Sequence, residues 1–373
     1  MRILILVRIL TTQGRPKLAI AEARELMSMG HMVELVFLRK SEKMAGYYDL
    51  LKGINCTIIN ETNHSLLVPL YDYITGLQAP DRRGDLRVDY NFIRDFPKYA
   101  RERNPDLLIC HDSFAGISGY HAFKRYGIRY VVYIDERVEK RSGIIGYIMD
   151  RYERKVLRHA SRVFAITQKV ADSIKRRYNV ESFVNLQGFG KYSYTNYTEK
   201  ENIIISVSAW DSGRRPMKYI EVIAEIPDYK LLMVGNWRDQ SLKEEFMNEI
   251  VRRGIQDRVE VHSGIDEIHL SNLYNSSKFA MRFGFGEYGS PSGLTEAIGY
   301  GLPIISNEDI GISDLIRQNR VGLVLNNING KDVSAWIKSV DNEKEYENLQ
   351  RNCIDLTTRY SWKSHAEKFI SVD

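Results

Sequence analysis

The chain of 373 residues is long for one domain and natural for two, and its 43% hydrophobic and 27% charged residues exclude a disordered or low-complexity polypeptide. The net charge of +5 is modest, so the placement of charge says more than its sum. Three cysteines, Cys56, Cys110 and Cys353, stand far apart with no C-x-x-C pair, which argues against a disulfide framework or thiolate zinc site and for a reducing compartment.

The N-terminal apolar run Ile3–Val7 is interrupted by Arg8. It is too short for a signal-peptide core or a membrane span and reads as a buried first strand. Ile9–Pro16 reads as a loop carrying Gly14. Lys17–Met29 is an amphipathic helix closed by Gly30, and Met32–Leu38 is a second strand. Such a βαβ unit implies a parallel sheet, whose ligands bind beyond the carboxyl ends of the strands. The Gln13-Gly14-Arg15 loop lies at that edge. It is a lone glycine and carries no dinucleotide fingerprint. Ile54–Ile59 reads as a third strand. The long stretch Thr62–Val88, with Tyr71, Tyr73, Pro80 and Asp81 to Asp85, is a candidate acceptor loop or a plain surface excursion.

Phe92–Arg103 reads as a helix and Asp106–Cys110 as a strand, with His111-Asp112-Ser113 at its tip. Arg129–Ile134 is the next strand and ends in Asp135-Glu136-Arg137. Both tips belong to the same sheet edge, where Asp135 or Glu136 could hold a sugar hydroxyl. A basic region follows, from Arg137, Lys140 and Arg141 through the helix Ile144–His159 to Lys175, Arg176 and Arg177. It is either a solvated face or an anionic membrane surface over 137–177, at about 1 kcal/mol per nearby basic residue. Arg162–Ile166 is a strand and Val170–Tyr178 a helix.

The polar, tyrosine-rich stretch Lys191–Asn202 reads as a linker. A second alternating series starts at Ile203–Val207. Behind that strand, Arg214, Arg215 and Lys218 precede the helix Tyr219–Glu225. Cations at a strand's carboxyl end suit a phosphate, and arginine offers it a planar fork. Lys230–Val234 and Val259–His262 are further strands, and Ser334–Val340 and Tyr346–Leu356 are helices. Trp362, Ala366 and Phe369 mark an amphipathic terminal helix.

The second half turns on Phe279–Ser306. A short strand, Phe279–Phe283, is broken by Gly284, Gly286 and Gly289. Ser290-Pro291-Ser292 follow, with Ser292 as N-cap of a helix Gly293–Tyr300 that Gly301 ends. Free N–H groups at Ser292, Gly293 and Leu294 would form an anion site behind the flexible loop of Gly289 and Ser290. The carboxylates Glu287 and Glu296 flank it, and a sugar or ribose diol is their natural partner. The plainer reading is that Glu296 complements the helix dipole.

This stretch resembles the signature of retaining glycosyltransferase family 4, which has the GT-B fold. There the pattern is Glu, seven residues, Glu, then Ala-x-x-x-Gly-x-Pro. Glu296-Ala297-Ile298-Gly299-Tyr300-Gly301-Leu302-Pro303 fits its second half, while eight residues separate Glu287 from Glu296. The resemblance implies an α/β chain of two Rossmann-like parallel-sheet domains facing a central cleft. An acceptor domain would span 1–187 and a nucleotide-sugar domain 188–360, with 361–373 a terminal helix crossing back to the first. It also implies a retaining transfer from a nucleotide-sugar donor to a glycan, lipid-linked or other hydroxyl acceptor. Glu296 would hold the ribose. Arg214, Arg215 and Lys218 would clamp the diphosphate, Glu287 would contact the sugar ring, and Gly14 would face phosphates or acceptor. His111 and Asp135 would be catalytic candidates near the acceptor.

There is no D-x-D stretch in the chain, so no metal is expected, and no cofactor beyond the nucleotide-sugar co-substrate. No nucleic-acid motif is present. The expected location is the cytoplasm, peripheral at the inner face of the membrane. Two alternatives stand: a nucleotide-sugar epimerase of the same fold, which would convert sugar without an acceptor, and a non-catalytic binding module.

Overall fold

The structure is a computed structural model, and it describes residues 1–10, 14–40, 50–59, 90–138 and 143–371. The candidate acceptor loop at 62–88 lies outside the described residues, as do Gln13, Lys140 and Arg141 and the side chains of Ile144 and Ile145. The chain divides into two compact units: Met1–Gln187 with Trp362–Asp373, and Gly188–Ser361.

In the first unit the described elements run β1 (Arg2–Leu10), α1 (Arg15–Ser28), β2 (Met32–Lys40), β3 (Asn55–Ile58), α2 (Tyr90–Arg103) and β4 (Leu107–His111). They continue with α3 (Asp112–Tyr126), β5 (Tyr130–Ile134), α4 (Gly143–His159), β6 (Arg162–Ala165), α5 (Gln168–Tyr178) and β7 (Phe183–Val184). The seven strands form one all-parallel sheet in the order β3-β2-β1-β4-β5-β6-β7. Ile3, Leu4, Ile5 and Leu6 are buried, as a strand covered on both faces requires. The terminal helix, α13 in the numbering that follows (Trp362–Ile370), packs on α1.

The second unit holds β8 (Glu201–Val207), α6 (Met217–Ala224), β9 (Lys230–Val234), α7 (Gln240–Arg252), β10 (Val259–His262), α8 (Glu267–Ser276) and β11 (Ser277–Arg282). Then come α9 (Ser292–Gly299), β12 (Ile304–Asn307), α10 (Ser313–Gln318), β13 (Gly322–Leu325), α11 (Gly330–Val340) and α12 (Glu343–Arg359). Its sheet is also parallel, ordered β10-β9-β8-β11-β12-β13. Trp210, Tyr219, Phe246, Phe279 and Tyr346 fill its core.

Both sheets share one logic. The order runs outward from the first strand in one direction, then returns and runs outward in the other. The reversal falls between β1 and β4 in one unit and between β8 and β11 in the other. In doubly wound sheets that switch point, at the carboxyl ends, is where ligands bind.

Several boundaries depart from the sequence reading. β1 continues to Leu10 and α1 begins at Arg15, so the loop between them is shorter than Ile9–Pro16. Pro16 fits the first helical turn because its missing N–H has no intrahelical partner there. The tyrosine-rich 191–200 segment is no free tether. Lys200 is buried and donates to the carbonyls of Asn275 and Ser277 at 3.0 Å each, and Tyr197 donates to Asp341. No helix among the described residues is long and apolar enough to cross a membrane.

Candidate functional site

In the second unit, the loop after β8 is pinned to the loop after β9. The Trp210 amide donates to the Asn236 carbonyl at 2.8 Å, and its indole to the Val234 carbonyl at 3.2 Å. Asp211 accepts from the Arg214 amide at 3.2 Å and from the Arg238 guanidinium at 3.0 Å, closing a tight turn over Ser212–Arg214. That turn delivers the Arg214 guanidinium onto the Glu287 carboxylate as an ion pair. Arg282, the last residue of β11, grips the same carboxylate at 2.9 and 3.1 Å from a side chain only 3% exposed.

Two guanidinium groups thus share one carboxylate, and the cluster keeps one unbalanced positive charge. Burial first, and then the charge of Arg282, push Arg214 down to about 10, which leaves it a cation at neutral pH. Arg214 Nε and Ser290 Oγ are buried without a hydrogen-bond partner among the described residues. Such groups are costly unless something satisfies them.

The glycine loop leads into α9. A Cβ on Gly293 would stand 2.6 Å from the Val207 carbonyl, so only glycine lets the helix N-terminus press against the end of β8. The N-cap is Pro291, with no side-chain cap, and the helix begins at Ser292. Ser292 is therefore the first helical residue and not its cap. The Leu294 amide is already used, donating to the Pro291 carbonyl at 3.0 Å. The amides of Ser292 and Gly293 are the ones that helix geometry leaves over. Glu296 lies one turn in and accepts from the Tyr274 hydroxyl at 3.4 Å.

Two expected phosphate ligands are otherwise engaged. Arg215, in a left-handed conformation, lays its guanidinium 4.3 Å from the Phe285 ring centroid. Lys218 pairs with Glu221 at 2.6 Å on an exposed helix face. Gly289 stands in the glycine-broken loop between Glu287 and α9, where the sequence puts it.

The first unit builds a second cluster at its own switch point. Gly14, at φ 69°, is the N-cap of α1 and is left-handed, which suits glycine. Arg15 then reaches Asp135 at 2.7 Å, Asp112 at 2.7 Å and Glu136 at 3.2 Å. Burial works against the Arg15 charge, but the three carboxylates outweigh it and raise the pKa. Asp112 has φ 79° and accepts from the Ala115 amide at 2.8 Å, so a strained backbone holds it at the tip of β4. Asp135 takes the Arg15 Nε–H on both oxygens, at 2.7 and 2.8 Å, and keeps its side chain 16% exposed.

His111 does not join them. It is the last residue of β4 rather than a residue after it, and it is fully buried. Its Nε2 lies 2.7 Å from Glu22, whose other oxygen lies 2.7 Å from His365 Nε2 on α13. A ring enclosed in this way positions structure and cannot reach a substrate hydroxyl.

Sequence reasoning passed over Arg282, Arg15, Glu22 and Tyr274. Signals existed for some of them. Glu22 lies on the apolar stripe Leu18, Ala19, Glu22, Ala23, Leu26, where a carboxylate needs a buried partner. Arg282 closes an apolar strand directly before a glycine loop that carries Glu287.

Comparison with known proteins agrees with this architecture. The model of Glycosyltransferase Family 4 matches residues 17–184, and that of Glycosyl transferases group 1 matches residues 195–355. No curated protein matched the sequence. Among solved structures, Anabaena Alr3699/HepE in complex with UDP-glucose is similar at 14% identity and TM-score 0.73, covering 99% of this chain and 98% of that one. A glycosyltransferase from Rickettsia africae ESF-5 is similar at 16% identity and TM-score 0.73, covering 100% and 97%. Sucrose-phosphate synthase from Thermosynechococcus elongatus is similar at 14% identity and TM-score 0.71, covering 98% and 96%. At these identities the structures speak to the fold, and the two family matches, which together take up most of the sequence, place the chain in the GT-B glycosyltransferase superfamily.

Proposed function

We propose that this glycosyltransferase moves a sugar, with retention at the anomeric carbon and without a metal ion, from a nucleotide-sugar donor to a hydroxyl acceptor on a glycan or lipid-linked glycan. The observation that carries the donor reading is the cluster at the β8/β11 switch point. A buried arginine, Arg282, and a half-buried one, Arg214, answer one carboxylate, and the buried, unsatisfied Arg214 Nε and Ser290 Oγ stand on the loops around it. A diphosphate supplies the missing negative charge and acceptors. As the glycosidic bond to phosphate breaks, charge grows on the leaving oxygen. Preorganised donors aimed there lower the barrier, and the amides of Ser292 and Gly293 add the dipole of α9. Glu287, steered by Arg282, faces the sugar side, where an oxocarbenium-like charge develops. Glu296 takes the ribose hydroxyls.

Anabaena HepE has been seen with UDP and with UDP-glucose, which makes UDP-sugars the first donors to try. In the first unit, Asp135 and Asp112, held by Arg15, are the groups offered to acceptor hydroxyls. Proton NMR of the product tests the chemistry. The expected anomer keeps the donor's configuration, and the rate is unchanged in chelator. An inverted anomer, or activity lost in chelator and restored by magnesium, contradicts the proposal. Sugar conversion with release of free nucleotide diphosphate in the absence of acceptor favours an epimerase instead.

A further inference from the structure

We propose that Tyr274 is a positioning residue that aims Glu296 at the ribose, and that it thereby sets how strongly the enzyme prefers ribonucleotide over deoxyribonucleotide donors. The proposal rests on the donor-site reading above. Tyr274, on α8, is 1% exposed. Its hydroxyl donates to the Gly293 carbonyl in the first turn of α9 at 3.1 Å and reaches Glu296 Oε2 at 3.4 Å. One phenol therefore touches both parts of the donor site that α9 carries: the backbone beside the amide pair and the carboxylate one turn later.

The ring beneath that hydroxyl is fixed by stacking. Tyr300 follows Glu296 by four residues and lies on the same helical face, with its amide donating to the Glu296 carbonyl at 3.1 Å. The Tyr300 ring lies between Tyr274, at 4.9 Å and 16°, and Tyr192, at 4.4 Å and 12°. Tyr192 is held from behind by its own amide, which donates to the Gly299 carbonyl at 3.1 Å. A Cβ on Gly299 would stand 2.8 Å from the Tyr192 ring, so the glycine is what admits the third ring. Burial first, and then the Glu296 charge, hold the Tyr274 phenol well above its ordinary pKa, so it remains a donor. A carboxylate on a surface helix samples several rotamers. This one is tethered by the buried Tyr274 hydroxyl, which narrows the rotamers it samples.

The test compares binding of ribo- and 2′-deoxyribonucleoside diphosphates of uridine, guanosine and adenosine to the full chain by calorimetry. For the base that binds best, wild type should prefer ribose by at least about tenfold, the loss of one hydrogen bond to a charged group. Glu296→Gln should remove most of that preference. Tyr274→Phe, which keeps the ring and the stack, should lower it about threefold or more, with a melting temperature close to wild type. Should Tyr274→Phe yield no folded protein, Tyr192→Leu strips the half-exposed outer ring and must lower the same ratio. A ratio lost in Glu296→Gln but intact in Tyr274→Phe, or in Tyr192→Leu when that variant stands in, overturns the positioning role. A ratio intact in Glu296→Gln overturns the ribose reading itself, and the proposal with it.

Discussion

Arg282→Met is expected to lower kcat/KM by at least about 100-fold, close to the loss seen when one preorganised donor is removed from an active site. The side chain is 3% exposed and holds both oxygens of Glu287, so methionine fills the volume and supplies neither charge nor fork. Glu287 would keep only Arg214 and swing toward it. The sugar side of the site would lose its carboxylate, and the diphosphate side would lose half its positive charge. Arg282 also bonds the Phe283 carbonyl and reaches the Tyr219 hydroxyl at 3.4 Å, so the start of the glycine loop loosens as well. Removing one partner of a buried pair costs about 3 kcal/mol of stability. Arg282→Lys keeps the charge but not the bidentate geometry and should recover only part of the rate. Steady-state kinetics beside a thermal melt separate the two losses. Full activity in Arg282→Met would remove the cluster from the chemistry.

The second large effect belongs to the buried Glu22 of the first unit. Glu22→Gln is expected to destabilise that unit by about 3 kcal/mol near pH 5.5, because it deletes the buried carboxylate that pairs with two enclosed histidines. His111 faces Glu22 from β4 and His365 faces it from α13. Tyr133 lies between the two rings, 5.5 Å from each, and Asp135 and Arg15 act on His111 from the sheet edge.

The pH dependence follows from two opposite shifts. Burial works to raise Glu22, but the charge and hydrogen bond of His111 outweigh it and bring the carboxyl from its ordinary 4.5 to about 2. That contribution is present in full above 4.5 and is lost as pH falls toward 2. Burial works to lower His111, but Glu22 outweighs it and raises the imidazole above its ordinary 6.5. That contribution is full below 6.5 and is lost as pH rises through the raised value. The pair therefore stabilises most between 4.5 and 6.5 and less on both sides. Melting temperatures across pH should show both slopes in wild type and flattened slopes in Glu22→Gln. An unchanged profile would contradict the coupling.

These two residues also show where the sequence was silent. The central strands are legible because β1, β4 and β5 are short, mostly apolar runs buried on both faces, and the Glu287-to-Pro303 stretch carries the most specific part of the family resemblance. The sequence pattern does not predict α3. Its Gly116, Ser118 and Gly119 argue against a helix by propensity, yet a Cβ on Gly119 would stand 2.7 Å from Cys110 Sγ. Close packing on the sheet overrides propensity there. Arg215 drew attention as a cation near a strand end, and only coordinates could show it lying on Phe285 while Arg214 turned inward. Partners distant in sequence, such as Glu22 with His365 and Arg214 with Glu287, leave no local pattern.

In the proposed donor site, the β8/β11 switch point binds a nucleoside diphosphate through Arg214 and α9 while Glu296 takes the ribose. Calorimetric titration of UDP, GDP and ADP into wild type and Glu296→Ala tests it most directly. One of the three should bind wild type in the micromolar range and bind at least about tenfold more weakly to the variant, as loss of hydrogen bonds to a charged group implies. No binding of any of them at millimolar concentration, or equal binding to both proteins, would contradict it.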